Sequence, residues 1–330
     1  WLDKNECNYI TTRNIIKTIF KNIDIEALST YPDLTRAYDL FFEKFEVRQE
    51  NSYFTYGSDA AIRIFFEFCS KISNKIRTLL LRPSFGMYEV YAKYYGNEVR
   101  YIDYDYLIEE YKVNYEKITI EIEKLREGDV FILASPESPL GIAFDEKEIY
   151  QLIKKCNDKK VSVLLDETYI GFSNTESQRN LINTFSNLFV TGSFSKSWGL
   201  AGVRLGYLVS NQDNILQTKL SRFMYEIGGF QYEILCGCLE HYKEFQDALN
   251  EQIFYRNEFV KLLRNNNIKV INTSANFVHL EKSSINEDSL NRLSKISLFK
   301  EINHNSLSHT IRITLPDPIY FDKILNALKN

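Results

Sequence analysis

One lysine in this chain sits where an amine could do covalent chemistry. The run Thr191-Gly-Ser-Phe-Ser-Lys-Ser-Trp-Gly-Leu-Ala-Gly-Val-Arg-Leu-Gly206 sets Lys196 among hydroxyls and small residues. Arg204 follows eight positions later, and Gly192, Gly199, Gly202 and Gly206 crowd the same segment. A lysine amine can condense with an aldehyde to form a Schiff base. Nearby hydroxyls and a guanidinium can hold a phosphate. An aldehyde that also carries a phosphate is pyridoxal 5'-phosphate (PLP), whose ring acts as an electron sink.

A PLP site needs further parts, and the chain offers candidates. The pyridine nitrogen needs a carboxylate to keep it protonated. Val161-Ser-Val-Leu-Leu-Asp166 is an apolar, β-branched run that ends in Asp166, so it reads as a buried parallel strand with a carboxylate at its C-terminal end. Ligands of open α/β sheets bind at such strand ends. Tyr169, three residues on, could hydrogen-bond the ring's phenolic oxygen. The phosphate also needs backbone N–H groups. Gly57, Ser58 and Asp59 precede an apolar helical pattern, the signature of a helix N-terminus that suits an anion.

The elements that must position these residues alternate. Segments 78–82, 130–134, 161–165, 188–191 and 207–210 read as short strands, and 144–157 as a helix. This alternation predicts a mostly parallel sheet covered by helices. From about Phe230 a helical stretch leads to strand-like runs at 268–271, 276–280 and 311–315, which predict a small α+β domain.

Taken together and in order, these segments resemble the class I/II aminotransferases of PLP fold type I, and within them the histidinol-phosphate aminotransferase-like group. Leu2-Asp-Lys-Asn-Glu6 is similar to that group's opening Leu-x-x-Asn-Glu, and Tyr31-Pro-Asp33 to its Tyr-Pro-Asp. Gly57-Ser-Asp59, Pro83-Ser-Phe-Gly-Met-Tyr88, Asp166-Glu-Thr-Tyr169, the lysine run and Ile311-Arg-Ile-Thr314 match its later motifs. The resemblance covers nearly the whole chain. It implies a large domain with a mostly parallel seven-stranded sheet between helices, and a small α+β C-terminal domain. Residues 1–30 would pack on the small domain, 31–235 would form the PLP-binding domain, and 236–330 the small one.

It also implies roles. Lys196 would carry the cofactor and shuttle the proton. Asp166 would pair with the pyridine nitrogen, Tyr169 would contact the phenolic oxygen, and Phe85 would stack on the ring. Gly57, Ser58, Asp59, Ser193, Ser195 and Arg204 would cradle the phosphate. Tyr31 would reach the phosphate of a neighbouring subunit, which implies a homodimer with shared sites. Arg312 would clamp the anionic end of the substrate.

Two departures stand out. The family's Asn-Asn-Pro-Thr-Gly is Glu137-Ser-Pro-Leu-Gly141 here, so Ser138 replaces the asparagine that donates to the ring oxygen. A further arginine usually lies about a dozen residues before Arg-Ile-Thr. Here the stretch is Ser297-Leu-Phe-Lys300, and Lys300 offers only a point charge without the arginine fork. Both changes point to a relative whose substrate has shifted from histidinol phosphate.

Composition fits an intracellular, cytoplasmic enzyme without nucleic-acid or membrane partners. The 330 residues are 44% apolar and 25% charged, with net charge −4, so there is no basic field for phosphodiester backbones. The start is polar rather than signal-like, and the five cysteines follow no framework or metal spacing. The chain opens on Trp1 rather than methionine, which leaves room for a fused upstream segment.

Each motif has a plainer meaning when taken singly. Asp166 could cap a helix, Gly57-Ser-Asp59 could be a simple helix start, and Arg312 could serve a surface ion pair. Tyr88, Tyr91, Tyr94 and Tyr95 read as packing residues. Cys236 and Cys238 lack a second pair for zinc, and the four histidines form no hydrolase pattern. The motifs in combination favour a PLP-dependent aminotransferase acting on a small anionic amine, amino-acid-like, phosphorylated or phosphonate, with a keto-acid partner. A phospho-amino-acid decarboxylase, similar to threonine-phosphate decarboxylase, would use the same residues. A PLP-holding domain without turnover is the third reading.

Overall fold

The structure, a computed structural model, describes residues 2–72, 75–107, 110–220, 224–225 and 227–329. Trp1, on which the expectation of an upstream segment turns, lies outside the described residues. Among the described residues twelve strands are seen: β1 (Ser52–Tyr56), β2 (Arg77–Arg82), β3 (Glu98–Asp103), β4 (Asp105–Leu107), β5 (Glu110–Lys112), β6 (Val130–Ala134), β7 (Ser162–Asp166), β8 (Leu188–Ser193), β9 (Leu205–Ser210), β10 (Val270–Ile271), β11 (Phe277–Glu281) and β12 (Thr310–Thr314). The helices are α1 (Ile10–Lys21), α2 (Thr35–Phe45), α3 (Gly57–Ile72), α4 (Gly86–Tyr94), α5 (Tyr115–Glu123), α6 (Glu146–Asp158), α7 (Gln212–Lys219), α8 (Gly229–Glu240), α9 (Tyr242–Asn265), α10 (Glu287–Ile296) and α11 (Phe321–Leu328).

Seven strands form the central sheet in the order β1-β9-β8-β7-β6-β2-β3. Pairs β2–β3, β2–β6, β6–β7 and β7–β8 are parallel, while β9 runs antiparallel to both its neighbours. The alternation of side chains explains why the sheet needs cover on both faces. Phe131, Leu133, Val163, Leu165 and Val190 enter one apolar core, and Val130, Ile132, Leu164 and Phe189 enter the other. Such runs read as uniformly apolar, which is why these strands were visible in the sequence.

The expected strands differ from the observed ones by a residue or two, except where an edge was missed. β1 and β3 lie at the two edges of the sheet and carry polar or charged residues that interrupt the apolar signal. Helix α6 starts two residues later than Phe144 suggests, because Asp145 caps it by accepting from the Lys147 and Glu148 N–H groups (2.9 and 3.3 Å).

A smaller three-stranded sheet, β10-β11-β12, has its own core. Val278, Leu280, Ile311 and Ile313 pack with Phe259 and Leu263 of α9 and with Ile324, Leu325 and Leu328 of α11. The N-terminal segment is tied to this sheet. The Thr314 N–H donates to the Leu2 carbonyl (2.9 Å), and the Asn5 N–H donates to Thr314 Oγ1 (3.0 Å). Among the described residues no helix is long and apolar enough to cross a membrane.

One close approach fixes the start of α3. A methyl group on Gly206 would sit 2.5 Å from the Gly57 carbonyl carbon and 2.6 Å from the Ser58 nitrogen, both backbone atoms. Backbone cannot swing aside as a flexible side chain can. Gly206→Ala is therefore expected to lower unfolding stability by about 1–3 kcal/mol through overpacking, read by denaturant titration. Unchanged stability would contradict this account of the β9–α3 contact.

Candidate active site

The C-terminal ends of the parallel strands face a cavity of about 280 Å³. Asp166 ends β7 and is 5% exposed. Its two carboxylate oxygens are held separately. The Tyr88 hydroxyl donates to Oδ2 at 2.6 Å, and the Thr168 N–H donates to Oδ1 at 2.8 Å. Burial pushes the Asp166 carboxyl up from the ordinary aspartate range, and the Tyr88 and Thr168 hydrogen bonds pull the other way. An organic cation in the cavity would offset the cost of burying this carboxylate.

Lys196 follows the end of β8 and also lines the cavity. Its Nζ donates to the Lys4 carbonyl at 2.9 Å and lies 5.9 Å from the centre of the Tyr169 ring. Tyr169 is buried. Its hydroxyl accepts from Asn5 Nδ2 at 2.9 Å, and its ring meets Phe277 edge-on at 5.9 Å. Phe85 precedes α4 and lines the cavity, with its ring edge-on to Tyr88 at 5.6 Å.

A second corner of the cavity is built for an anion. The chain turns from β1 into α3 at Gly57, whose φ is +74°. A Cβ there would meet Arg204 Nη2 at 2.7 Å, so the missing side chain is what lets the guanidinium lie against the helix start. Arg204 itself has φ +59° and donates to the Ala201 carbonyl at 3.2 Å. Ser58, Asp59, Ser193 and Ser195 line the same corner, at the N-terminus of a 16-residue helix. Asp59 Oδ2 accepts from the Tyr91 hydroxyl at 3.0 Å.

At a third corner lies Arg312 of β12. Its Nη2 donates to the Asp3 carbonyl at 2.9 Å, and its guanidinium sits 5.1 Å from the Phe277 ring centre. Its Nε is buried and without a partner. Burial pulls the Arg312 pKa down from its ordinary value. Ser138 lines the cavity from the loop after β6. The next residue fixes that loop to the small sheet, because Nε2 of the buried His279 on β11 donates to the Pro139 carbonyl at 2.8 Å. Burial lowers the His279 pKa to about 4, so the ring is neutral at neutral pH and serves as a strut. Beside Ser138, Glu137 is buried with one oxygen on the Leu140 N–H (2.8 Å) and the other unpartnered. Burial pushes this carboxyl well up, while Arg312 pulls it down.

Eleven of the residues expected from sequence thus line one cavity: Ser58, Asp59, Phe85, Ser138, Asp166, Tyr169, Ser193, Ser195, Lys196, Arg204 and Arg312. Gly57 does not line it but leaves room for Arg204. Tyr31 lies elsewhere, 77% exposed and stacked on Tyr225 with ring centres 4.3 Å apart. Lys300 does not line the cavity either. It is exposed, and it pairs with Arg312 only through reciprocal backbone hydrogen bonds of 2.8 and 2.9 Å.

Seven lining residues were given no role from the sequence: Ala134, Pro136 and Ala201, and four with polar side chains. Asn5 and Lys4 sit in the quoted opening motif, and Thr168 sits inside Asp166-Glu-Thr-Tyr169. Tyr88, taken as packing alone, both packs and holds Asp166. Nothing in its sequence neighbourhood marks that contact, which joins residues 78 positions apart.

The residues present fit PLP. A buried carboxylate suits the pyridinium, a helix start with Arg204 suits the phosphate, and the Lys196 amine lines the same cavity. Arg312 Nε, buried and unsatisfied, lines the same cavity. Among the described residues no group of three or more His, Cys, Asp or Glu could hold a metal.

Comparison with known proteins identifies the family and the fold. The histidinol-phosphate aminotransferase of Clostridium novyi (strain NT) is 28% identical over 334 residues, spanning 99% of this chain and 90% of that protein. That of Pyrococcus furiosus is 27% identical, spanning 100% and 91%. Among solved structures, a putative histidinol-phosphate aminotransferase from Erwinia carotovora atroseptica superposes with TM-score 0.85 at 16% identity, covering 99% of this chain and 94% of that one. The L-threonine-O-3-phosphate decarboxylase from Porphyromonas gingivalis superposes with TM-score 0.80 at 20% identity, covering 99% and 97%. At such identities these two structures establish the shared fold. The family model "Aminotransferase class I and II" matches residues 1–326, and with PLP as its cofactor this chain belongs to that family.

Proposed function

We propose that this aminotransferase takes a small anionic amine as donor, amino-acid-like and carrying a carboxylate, phosphate or phosphonate, and passes its nitrogen to a keto acid. The observation that supports this most is the joint lining of one cavity by Lys196, Asp166, Arg204 and Arg312. A single anionic site would serve the cofactor alone. Here a second guanidinium remains, far along the chain on the small sheet.

Bound PLP supplies an electrophilic carbon and an electron sink for the carbanion formed at the substrate's α-carbon. The chain's own groups do the rest. Asp166 holds the proton on the pyridine nitrogen, kept ionised for this by Tyr88 and Thr168. Tyr169 faces the phenolic oxygen, with its hydroxyl oriented by Asn5. Ser138, from the loop after β6, lines the cavity where the family's asparagine would donate to that oxygen. Phe85 covers one face of the ring. Ser58, Asp59, Ser193, Ser195 and Arg204 hold the phosphate through backbone and side chains, beside Gly57.

Lys196 holds the cofactor in the resting enzyme. Once free, its Nζ would be the base that takes the proton at the substrate's α-carbon and the acid that returns it. The Lys4 carbonyl, which can only accept, orients that Nζ. Arg312 clamps the anionic end of the substrate, and Glu137, which replaces an asparagine of the family motif, lies close enough to Arg312 to affect its charge. Two copies of the chain would share sites through Tyr31, which is free on the surface side of its stack with Tyr225. We read residues 31–235 as the cofactor domain and 236–330, with the N-terminal segment on it, as the small domain.

Borohydride reduction of the PLP-loaded protein followed by peptide mass analysis is expected to place the cofactor on Lys196. Lys196→Ala is expected to carry no such adduct and to lose turnover by several orders of magnitude. A fully active alanine variant would overturn the mechanism. Arg312→Ala is expected to raise KM for an anionic donor by roughly 10- to 100-fold, about 1.4–2.7 kcal/mol, while the absorbance of the loaded resting enzyme stays unchanged. An unaltered KM would remove Arg312 from the substrate site.

A further inference from the structure

We propose that Tyr88 is a positioning residue of this reaction: its hydroxyl sets the charge and orientation of Asp166, and through Asp166 the protonation of the bound cofactor ring. The inference rests on the reading of Asp166 as the partner of the pyridine nitrogen.

The geometry is specific. Tyr88 is 2% exposed, so its hydroxyl has no water to turn to, and its proton is committed to Asp166 Oδ2 at 2.6 Å. The other carboxylate oxygen is held by the Thr168 N–H. With one donor on each oxygen, the carboxylate cannot rotate, and one lone-pair direction on each oxygen is left for a ligand. A donor from a neutral hydroxyl also withdraws charge from the carboxylate, so Asp166 offers less negative charge to the ring than a bare aspartate would.

Tyr88 has a second hold on the site. It lies one helical turn after Phe85, whose ring meets its own edge-on at 5.6 Å, and its N–H donates to the Phe85 carbonyl at 3.2 Å. One residue thus braces both the carboxylate at the edge of the cofactor ring and the aromatic group that covers its face. The other groups that act on this pair electrostatically are Glu137, Tyr104, Glu167 and Tyr207, each buried and each outside the Tyr88–Asp166 hydrogen bond. Substituting Tyr88 by phenylalanine keeps the ring contact with Phe85, leaves these four groups in place, and removes only the donor.

The test is a pH titration of the visible absorbance of PLP-loaded protein, without substrate. In Tyr88→Phe the Asp166 charge is undiluted and favours the cationic, coloured form of the cofactor–lysine link. Its pH midpoint is expected to rise by about half a unit. Tyr88→3-fluorotyrosine, a stronger donor that fits the same space, is expected to move the midpoint down, and it serves if the phenylalanine variant does not fold. In an Asp166→Asn background, Tyr88→Phe should add no further shift. A purely structural tyrosine would lower thermal stability and leave the midpoint where it was. An unchanged midpoint beside a normal wild-type band overturns this inference alone. A wild-type protein that takes up no PLP overturns it together with the reading beneath it.

Discussion

A carboxylate buried at the end of a central strand is the constraint on which the rest of this molecule depends. Asp166 costs several kcal/mol to hold in ionised form away from water, unless hydrogen bonds and an opposite charge compensate it. Two compensations are built in, from Tyr88 and Thr168. The third must come from a ligand cation in the cavity. The strand that carries Asp166 is central in a seven-stranded sheet, flanked by β6 and β8, so its end cannot shift without disturbing both neighbours. Stability of the sheet and position of the charge are the same property here.

Around that fixed point the cavity is assembled from distant parts of the chain. β1 and α3 bring the helix start, the β8–β9 connection brings Lys196 and Arg204, and β12 brings Arg312. The N-terminal segment closes the arrangement. The Asp3 carbonyl accepts from Arg312, the Lys4 carbonyl from Lys196, and Asn5 donates to Tyr169. Three consecutive residues, Asp3, Lys4 and Asn5, therefore hydrogen-bond three side chains that line the cavity. Asn5 adopts a left-handed backbone with φ +56°, and its own carbonyl accepts from Asn276 Nδ2 at 3.0 Å. These hydrogen bonds tie the segment to the small sheet.

The sequence made most of the sheet and most of the site legible, for different reasons. Buried parallel strands are nearly continuous apolar runs, so β6, β7 and β8 stood out, whereas edge strands β1 and β3 mix polar and apolar residues and did not. Lys196, Asp166 and Arg204 sit in short motifs, which is why these cavity-lining residues stood out by residue type and spacing. Tyr88 was not assigned its role because a tyrosine on an amphipathic turn carries no mark of the carboxylate it will meet. That contact joins residues 78 positions apart and exists only once β2, α4 and β7 are packed. Lys300 failed as a substitute arginine for the same reason in reverse. Its spacing suited the role, but its backbone pairs with Arg312 while its side chain stays exposed.

The most direct test of the central claim is a single-turnover spectrum. PLP-loaded protein would be mixed with glutamate, histidinol phosphate, phosphoserine and small phosphonates in turn, with no keto acid present. The account predicts that at least one anionic donor converts the yellow resting form to the pyridoxamine form, with one equivalent of keto product. Release of CO2 from a phospho-amino acid, with the yellow form restored and no keto product from any donor, would contradict amino transfer and assign the same cavity to decarboxylation.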